Sequence, residues 1–230
     1  MEIKAVTYNI RNCMGMDGKV DLPRIALVLK SMNADVIALQ EVDMGRPRTR
    51  LVKQANALAR LLDMGCVYGE AIQYNPGSFG NAVLSRFPIS SFINHRLPAP
   101  QPQRVMMEVH LDINGQIIRF FNTHLELNRS LRLEQIKDFI VPLIQSSDTP
   151  AILAGDFNET PQDLGVKYLT HYFTDSFIAN SGLLTHTFIS SQPTERMDYI
   201  FLNEGLQPLD YRIQYADASD HLPVFSRILI

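Results

Sequence analysis

The sequence predicts an α/β fold built as two similar halves packed in layers. Three observations carry this. Short apolar runs of strand length alternate with stretches of helical periodicity. A strand–helix–strand unit occurs twice, ending near Glu41 and near Asp156. No Gly/Ser-rich linker or low-complexity segment divides the chain, so residues 1–230 read as one domain.

The elements follow in order. Glu2 to Asn9 reads as a buried strand, and a polar, glycine-bearing loop follows it from Asn12 to Lys19. Asp21 is placed to cap a helix with Pro23 in its first turn. Ile25, Leu27, Val28, Leu29 and Met32 form its apolar face. Asp35 to Gln40 is a second buried strand, ending at Glu41-Val42-Asp43. An arginine-rich loop, Met44 to Arg50, leads to a helix over Leu51 to Leu62. Strands are expected over Cys66–Ile72 and Asn81–Ser85, with Ile89–Leu97 pairing to the latter. After the proline-rich connector Pro98 to Pro102, Asn114-Gly115 between two alternating runs signals a hairpin of Arg104–Ile113 and Gln116–Thr123. Ser130 to Ile144 reads as one long helix. Pro150 to Ala154 is a continuous apolar run that ends at Gly155-Asp156-Phe157-Asn158, where glycine permits a turn and Pro161 blocks continuation. A short helix, Leu164–Leu169, and a patternless loop, Leu183–Thr194, come next. The chain closes with a strand at Met197–Leu202, an extended stretch at Leu206–Ala216 and a strand at Pro223–Ile230.

Composition sets bounds. Hydrophobic residues make up 46% and charged residues 20%, as in a globular protein. The net charge of -3 makes no general electrostatic case for nucleic acid, although a local basic groove or a bound cation can offset the overall sign. Two cysteines, Cys13 and Cys66, without a CxxC pair exclude a zinc–cysteine site and read as free thiols of a reducing compartment. Neither a signal peptide nor an apolar run of the ~18 residues a membrane span needs is visible. These features lead to the expectation of a cytoplasmic, monomeric protein.

Polar residues close or open several apolar strands: Asn9, Glu41, Asn81, His124, Asp156, Asn158 and Asp198, with Asp220-His221 before the last strand. Strand ends are where sites are built in packed sheets. Singly, each has an ordinary structural explanation: a turn residue for Asn9, Asp156 and Asn158, a solvated strand end for Glu41, a satisfied histidine for His124. Asp198 is harder to dismiss, because a carboxylate inside an apolar run needs a partner. Jointly the set suits metal-assisted phosphoester hydrolysis. Glu41 with Asn9 offers oxygen ligands to a hard cation such as Mg²⁺ or Mn²⁺. Asp156 is placed to activate water, Asn158 and His124 to hold phosphate oxygens, and His221 to stabilise developing charge with Asp198 fixing its tautomer. In this scheme Asp156 in the second half mirrors Glu41 in the first.

Thr7-Tyr8-Asn9, Leu39-Gln40-Glu41-Val42, Gly80 to Ser85, Asn122-Thr123-His124-Leu125, Gly155-Asp156-Phe157-Asn158, Met197-Asp198-Tyr199-Ile200 and Ser219-Asp220-His221 together resemble, in order and spacing, the endonuclease/exonuclease/phosphatase superfamily. The resemblance spans nearly the whole chain. It implies a four-layer α/β sandwich, two central mixed β-sheets flanked by helices, and hydrolysis of phosphodiesters or phosphomonoesters with Mg²⁺ or Mn²⁺. It also implies Glu41 as main metal ligand with Asn9 beside it and Asp220 near the metal or a second metal position. Asp156 is then the base with Asn158 its partner, His221 contacts the scissile phosphate with support from Asp198, and His124 touches phosphate. Tyr8 stands where the family commonly has tryptophan.

The substrate must come from loops. Arg46, Arg48, Arg50 and Lys53 form either a solvated loop or a grip on an anion. Arg104 and Asn81 are candidate substrate contacts, and Tyr74 and Phe79 are placed to stack on a base or to line a headgroup pocket. With no basic tail, the reading favours a small or exposed phosphoester. The alternatives are a DNA-repair-type nuclease, a tyrosyl-DNA phosphodiesterase and, in a different class, a non-catalytic phospholigand-binding module.

Overall fold

The computed structural model describes residues 1–99, 102–177 and 184–230. The middle of the proline connector and the start of the patternless loop at Leu183 lie outside the described residues. In chain order the elements begin with β1 (Glu2–Asn9), α1 (Leu22–Met32), β2 (Val36–Met44), α2 (Gln54–Leu62), β3 (Gly65–Gln73) and β4 (Ser78–Ser85). Then come β5 (Ile89–Arg96), β6 (Val105–Ile113), β7 (Gln116–His124), α3 (Arg129–Glu134) and α4 (Val141–Gln145). The chain ends with β8 (Ala151–Asp156), α5 (Leu164–Leu169), β9 (Thr174–Asp175), β10 (Asp198–Leu202), β11 (Gln207–Ile213) and β12 (Val224–Leu229).

These strands make two six-stranded sheets, ordered β11-β12-β1-β2-β4-β3 and β5-β6-β7-β8-β10-β9. Each is mixed, with one parallel pair at its centre, β1 with β2 and β7 with β8. Both faces of these central strands are covered, which is why they read as continuous apolar runs rather than alternating ones. In β8, Ile152 and Ala154 enter the core between the sheets, while Leu153 enters the core under α3 to α5. In β1, Ile3 and Ala5 face the other sheet and Val6 and Tyr8 face α1 and α2. The result is the four-layer α/β sandwich expected, helices outside and two sheets within.

The halves correspond strand by strand: β12-β1-β2-β4-β3 has the same order and directions as β6-β7-β8-β10-β9. Asn9 faces Gln40 in one ladder as His124 faces Asp156 in the other. The counterpart of Asp156 is therefore Gln40, not Glu41. Glu41 follows one residue later, at a register break between Leu39 and Val42 against β4, with left-handed backbone (φ 57°). A bulge re-aims a side chain in this way. The carbonyls of Leu39 and Ala82 beside the break accept from Asn122 Nδ2, at 3.0 and 2.8 Å, across the sheet-to-sheet core. Gln40 Nε2 returns to Asn122 Oδ1 (2.8 Å) and Thr7 Oγ1 (3.0 Å). Three neutral side chains and two backbone carbonyls, joined by four hydrogen bonds, thus link the halves directly beneath the strand ends.

Several expectations need correction. The helix expected over Ser130–Ile144 is broken: α3 passes through a π-helical turn, Gln135–Ile140, before α4. Pro142 cannot donate to the carbonyl four residues back and crowds it, and the wider turn, closed by Val141 N on Ile136 O, makes room. Ile89–Arg96 pairs with β6 in the second sheet, not with β4, because the chain crosses between sheets at Arg86-Phe87-Pro88. Leu27 faces solvent rather than the core (69% exposed). The second helix begins at Gln54 rather than Leu51, since Arg50 and Leu51 hold left-handed backbone. Asp21 does cap α1, its Oδ1 accepting from Arg24 N at 3.0 Å, and Asn114-Gly115, both at positive φ, do turn the β6–β7 hairpin.

Candidate active site

The parallel strands β1, β2, β7 and β8 all end at one edge of the sandwich. The antiparallel β10 begins there, and so does the loop entering β12. This directionality gathers Asn9, Glu41, His124, Asp156, Asn158, Asp198, Asp220 and His221, although they span most of the chain.

Asp156 is the hub. Its Oδ2 accepts from Asn9 Nδ2 at 2.9 Å and has His124 Nε2 at 3.5 Å and His221 Nε2 at 3.6 Å. Its Oδ1 accepts from Asn158 N at 3.0 Å, so an Asx-type turn is how the acid and the amide reach the site. Asn158 Nδ2 donates to Leu125 O (2.9 Å) and fixes that turn against the end of β7. Phe157 anchors it from behind, edge-on to Tyr199 and Phe201 at ring centroid distances of 5.5 and 5.3 Å. Asn9 Nδ2 also donates to Glu41 Oε1 (3.2 Å), so one amide joins the acids of the two halves.

Asp198 lies directly opposite Asp156 in the β8–β10 ladder. Two facing carboxylates repel, and His221 relieves this with Nδ1 on Asp198 Oδ2 at 2.9 Å and Nε2 toward Asp156. Burial opposes a charge on His221, but Asp198, Asp156 and the Asp198 hydrogen bond, with Asp220 adding, outweigh it and raise its pKa to about 10. The same burial, with Arg104 nearby, drives His124 down to about 3, so His124 is a neutral imidazole. Burial pushes the Glu41 carboxyl up; the Asn9 bond opposes this, and Asp156 and Asp220 add to it.

The raised His221 pKa has a testable sign. A raised folded-state value gives stability that is complete below the ordinary pH 6.5 and lost as pH rises through about 10. Chelator-treated protein should lose Tm across that window, and Asp198→Asn should flatten the loss. An equal slope in the variant would remove the pair as its cause.

The structure also supplies groups whose roles the sequence did not indicate. Ser219 Oγ donates to Asn9 O (2.7 Å) and holds the Asp220-His221 turn against β1. Thr187 Oγ1 accepts from Met197 N at 3.1 Å and Asp198 N at 3.4 Å, and the Phe188 ring covers His221 at 4.8 Å. Arg11 pairs with Asp220 (3.3 Å). Ser219, Gln40 and Asn122 stand inside the quoted motifs, and that position was their only signal. Thr187 and Phe188 lie in a stretch without pattern and had no signal.

The expected substrate contacts divide. Asn81, Arg104, Phe79 and His124 line one small cleft beside Asp156. Arg104 is buried, its Nε 3.7 Å from Glu126 and without a hydrogen-bond partner. By contrast Arg48 is committed to Asp43 through two 2.8 Å bonds, and Arg46 lies flat on Tyr74 at 3.3 Å.

The donor set fits a hard divalent cation. Among the described residues Glu41, Asp156, Asp198 and Asp220 form ion pairs with no cationic groups other than His221 and Arg11, and Asp198 Oδ1 is buried without a partner. Ligand atoms of Asp156, Asp198 and His221 lie within 4.8 Å of one another. A charged imidazole already bonded to Asp198 is a poor ligand, and beside this cluster Glu41 and Asn9, joined to Asp156 through the Asn9 amide, offer further oxygen donors.

Comparison with known proteins bears on the fold and the family. The chain is 24% identical over 244 aligned positions to the uncharacterized protein YbhP of Escherichia coli (strain K12), covering 98% of this chain and 95% of that protein. A solved endonuclease/exonuclease/phosphatase structure from Beutenbergia cavernae superposes with a TM-score of 0.83 at 24% identity, covering 100% of this chain and 72% of that one. The mannosyl-6-phosphatase Bt3783 of Bacteroides thetaiotaomicron gives 0.80 at 21% identity, covering 99% and 100%. The endonuclease/exonuclease/phosphatase family model, whose members are generally hydrolytic enzymes, matches residues 6–221. That match runs from β1 to His221 and takes in every strand that delivers a site residue, and the chain belongs to this family.

Proposed function

We propose that this protein is a phosphoester hydrolase dependent on Mg²⁺ or Mn²⁺, acting on a small or exposed phosphodiester or phosphomonoester. The observation that carries the reading is the junction at Asp156, where an acid from one half meets Asn9, His124 and His221 while the same Asn9 reaches Glu41. Glu41 and Asn9 would hold the cation, with Asp220 beside them. When bound, it would supply Lewis-acid polarisation of a phosphate oxygen. Asp156 takes the proton of the attacking water. His221, charged and fixed by Asp198, offers Nε2–H to the developing negative charge. Neutral His124, Asn158, Asn81 and Arg104 bind and orient phosphoryl oxygens, with Arg104 the buried cation of the adjoining cleft. Residues 1–230 act as one unit in this scheme, since each half contributes part of the site.

The test is hydrolysis of p-nitrophenyl phosphate, bis-p-nitrophenyl phosphate, a nucleotide and an abasic DNA, with Mg²⁺, Mn²⁺ or EDTA. EDTA should abolish turnover. Mg²⁺ should raise Tm in wild type and not in Glu41→Gln. Folded protein with no metal-dependent turnover on any phosphoester would overturn the reading. Strong activity confined to DNA would replace the small-substrate preference with that of a nuclease.

A further inference from the structure

The loop after β2 carries charge and apolar exposure that the hydrolytic site does not use. Residues 46–62 hold five cations, Arg46, Arg48, Arg50, Lys53 and Arg60, and no acid. With 21 cations and 24 acids in all, the remaining chain has 16 against 24, a balance of -8 set against +5 in this one segment. Arg48 is spent on Asp43, and Arg46 is held on Tyr74. Arg50, Lys53 and Arg60 are exposed and have no ion pair among the described residues.

Between these cations two apolar side chains face water, Leu51 at 59% and Val52 at 38% exposure. The left-handed backbone at Arg50 and Leu51 (φ 55° and 60°) stops α2 from starting here and leaves both residues on a projecting turn. That turn is rigid. Leu51 N bonds Arg46 O at 2.9 Å and Gly45 N bonds Val52 O at 3.0 Å. Thr49 Oγ1 bonds the buried Asp43 at 3.1 Å. The exposed Tyr74 adds an amphipathic ring next to it, through Arg46. An open groove lined by Val52, Asn56, Arg60 and Met64 continues along α2.

A preformed apolar tip ringed by cations, with a tyrosine at its side, is the composition of an interfacial anchor. Nucleic acid would use the cations, but an apolar tip contributes there only by wedging between base steps at the cost of unstacking them. An anionic bilayer uses both, because cations meet the headgroup charge and the apolar tip enters the headgroup layer. We propose that this surface docks the protein on an anionic lipid bilayer, with Leu51 and Val52 entering the interface and Arg50, Lys53 and Arg60 against its charge. Arg48 lies 5.4 Å from the ring of Phe79, which lines the cleft of His124 and Arg104, so docking sets the site beside the membrane surface. The docking does not depend on hydrolysis and is measured without substrate.

The experiment is vesicle co-sedimentation of the full chain with phosphatidylcholine alone and with phosphatidylcholine mixed with phosphatidylglycerol, at low and high NaCl. Wild type should partition onto the anionic vesicles, and salt should weaken it. Arg50→Ser/Lys53→Ser/Arg60→Ser should lower the partition coefficient roughly 100-fold. Leu51→Asn/Val52→Ser should lower it roughly 10-fold and keep the salt dependence. All of these side chains are exposed, and circular dichroism melting confirms folding. Absence of binding to anionic vesicles, equal binding to phosphatidylcholine alone, or indifference to the Leu51/Val52 variant would each overturn the proposal. So would binding of duplex DNA in place of vesicles, lost in the charge variant.

Discussion

Asp156→Asn is expected to lower kcat by roughly a thousandfold or more, with Tm unchanged or higher. The two halves of this expectation have separate causes. The amide keeps the size of the carboxylate and can still accept from Asn158 N. It cannot take a proton from water, and if its NH₂ occupies the Oδ2 position it turns a donor toward Asn9 Nδ2 and the two imidazoles. In chelator-treated protein it also removes a negative charge that faces Asp198 and raises the Glu41 pKa. Relief of these repulsions offsets the lost attraction to charged His221, so the site should lose rate without losing stability. Steady-state kinetics beside calorimetry decides the point. A comparable rate in the variant removes Asp156 as the base, and a collapsed Tm with the lost rate makes it structural.

Gly155→Ala is expected to cost roughly 3 kcal/mol of stability, at the upper end for an overpacked core position, and to abolish activity in the protein that remains folded. A Cβ at Gly155 would meet Thr123 O at 2.1 Å, and that oxygen belongs to the neighbouring strand of the parallel pair. Backbone cannot rotate aside as a side chain can. β7 and β8 must separate, and they carry His124 and Asp156 at their next residues. Denaturant unfolding with the activity of the folded fraction tests this. A variant within 1 kcal/mol of wild type would show that the strands part without strain.

Why some of this was legible in the sequence and some was not follows from how far each role depends on distant chain. Asn9, Glu41, His124 and Asp156 each terminate an apolar run, and a polar residue at the end of a buried strand is visible locally. Asp198 was visible for a different reason, as a carboxylate inside such a run, where it needs a partner. Their convergence followed from the repeated strand–helix–strand unit. The pairing inside the site was not legible. The bulge that displaces Glu41 from the ladder position of Asp156 leaves no residue signature: the strand is expected to end at Glu41-Val42-Asp43, whereas β2 runs on to Met44 past the register break. Thr187 acts through the backbone of Met197 and Asp198, which the chain reaches by folding back a loop. The helix expected at Leu51 failed because apolar spacing ignores backbone sign, and two left-handed residues there converted a helical turn into an exposed tip.

The amide lattice of Thr7, Gln40 and Asn122 has a consequence for the working range of the protein. Every group in it is uncharged, and its donors end on an amide, a hydroxyl and two backbone carbonyls. This layer of the joint, beneath the charged contacts at the strand ends, has no protonation state and no charge to screen. Acidity and ionic strength can therefore retune Glu41, His124 and His221 without shifting the frame that aligns them. The reacting groups are adjustable on a fixed bench.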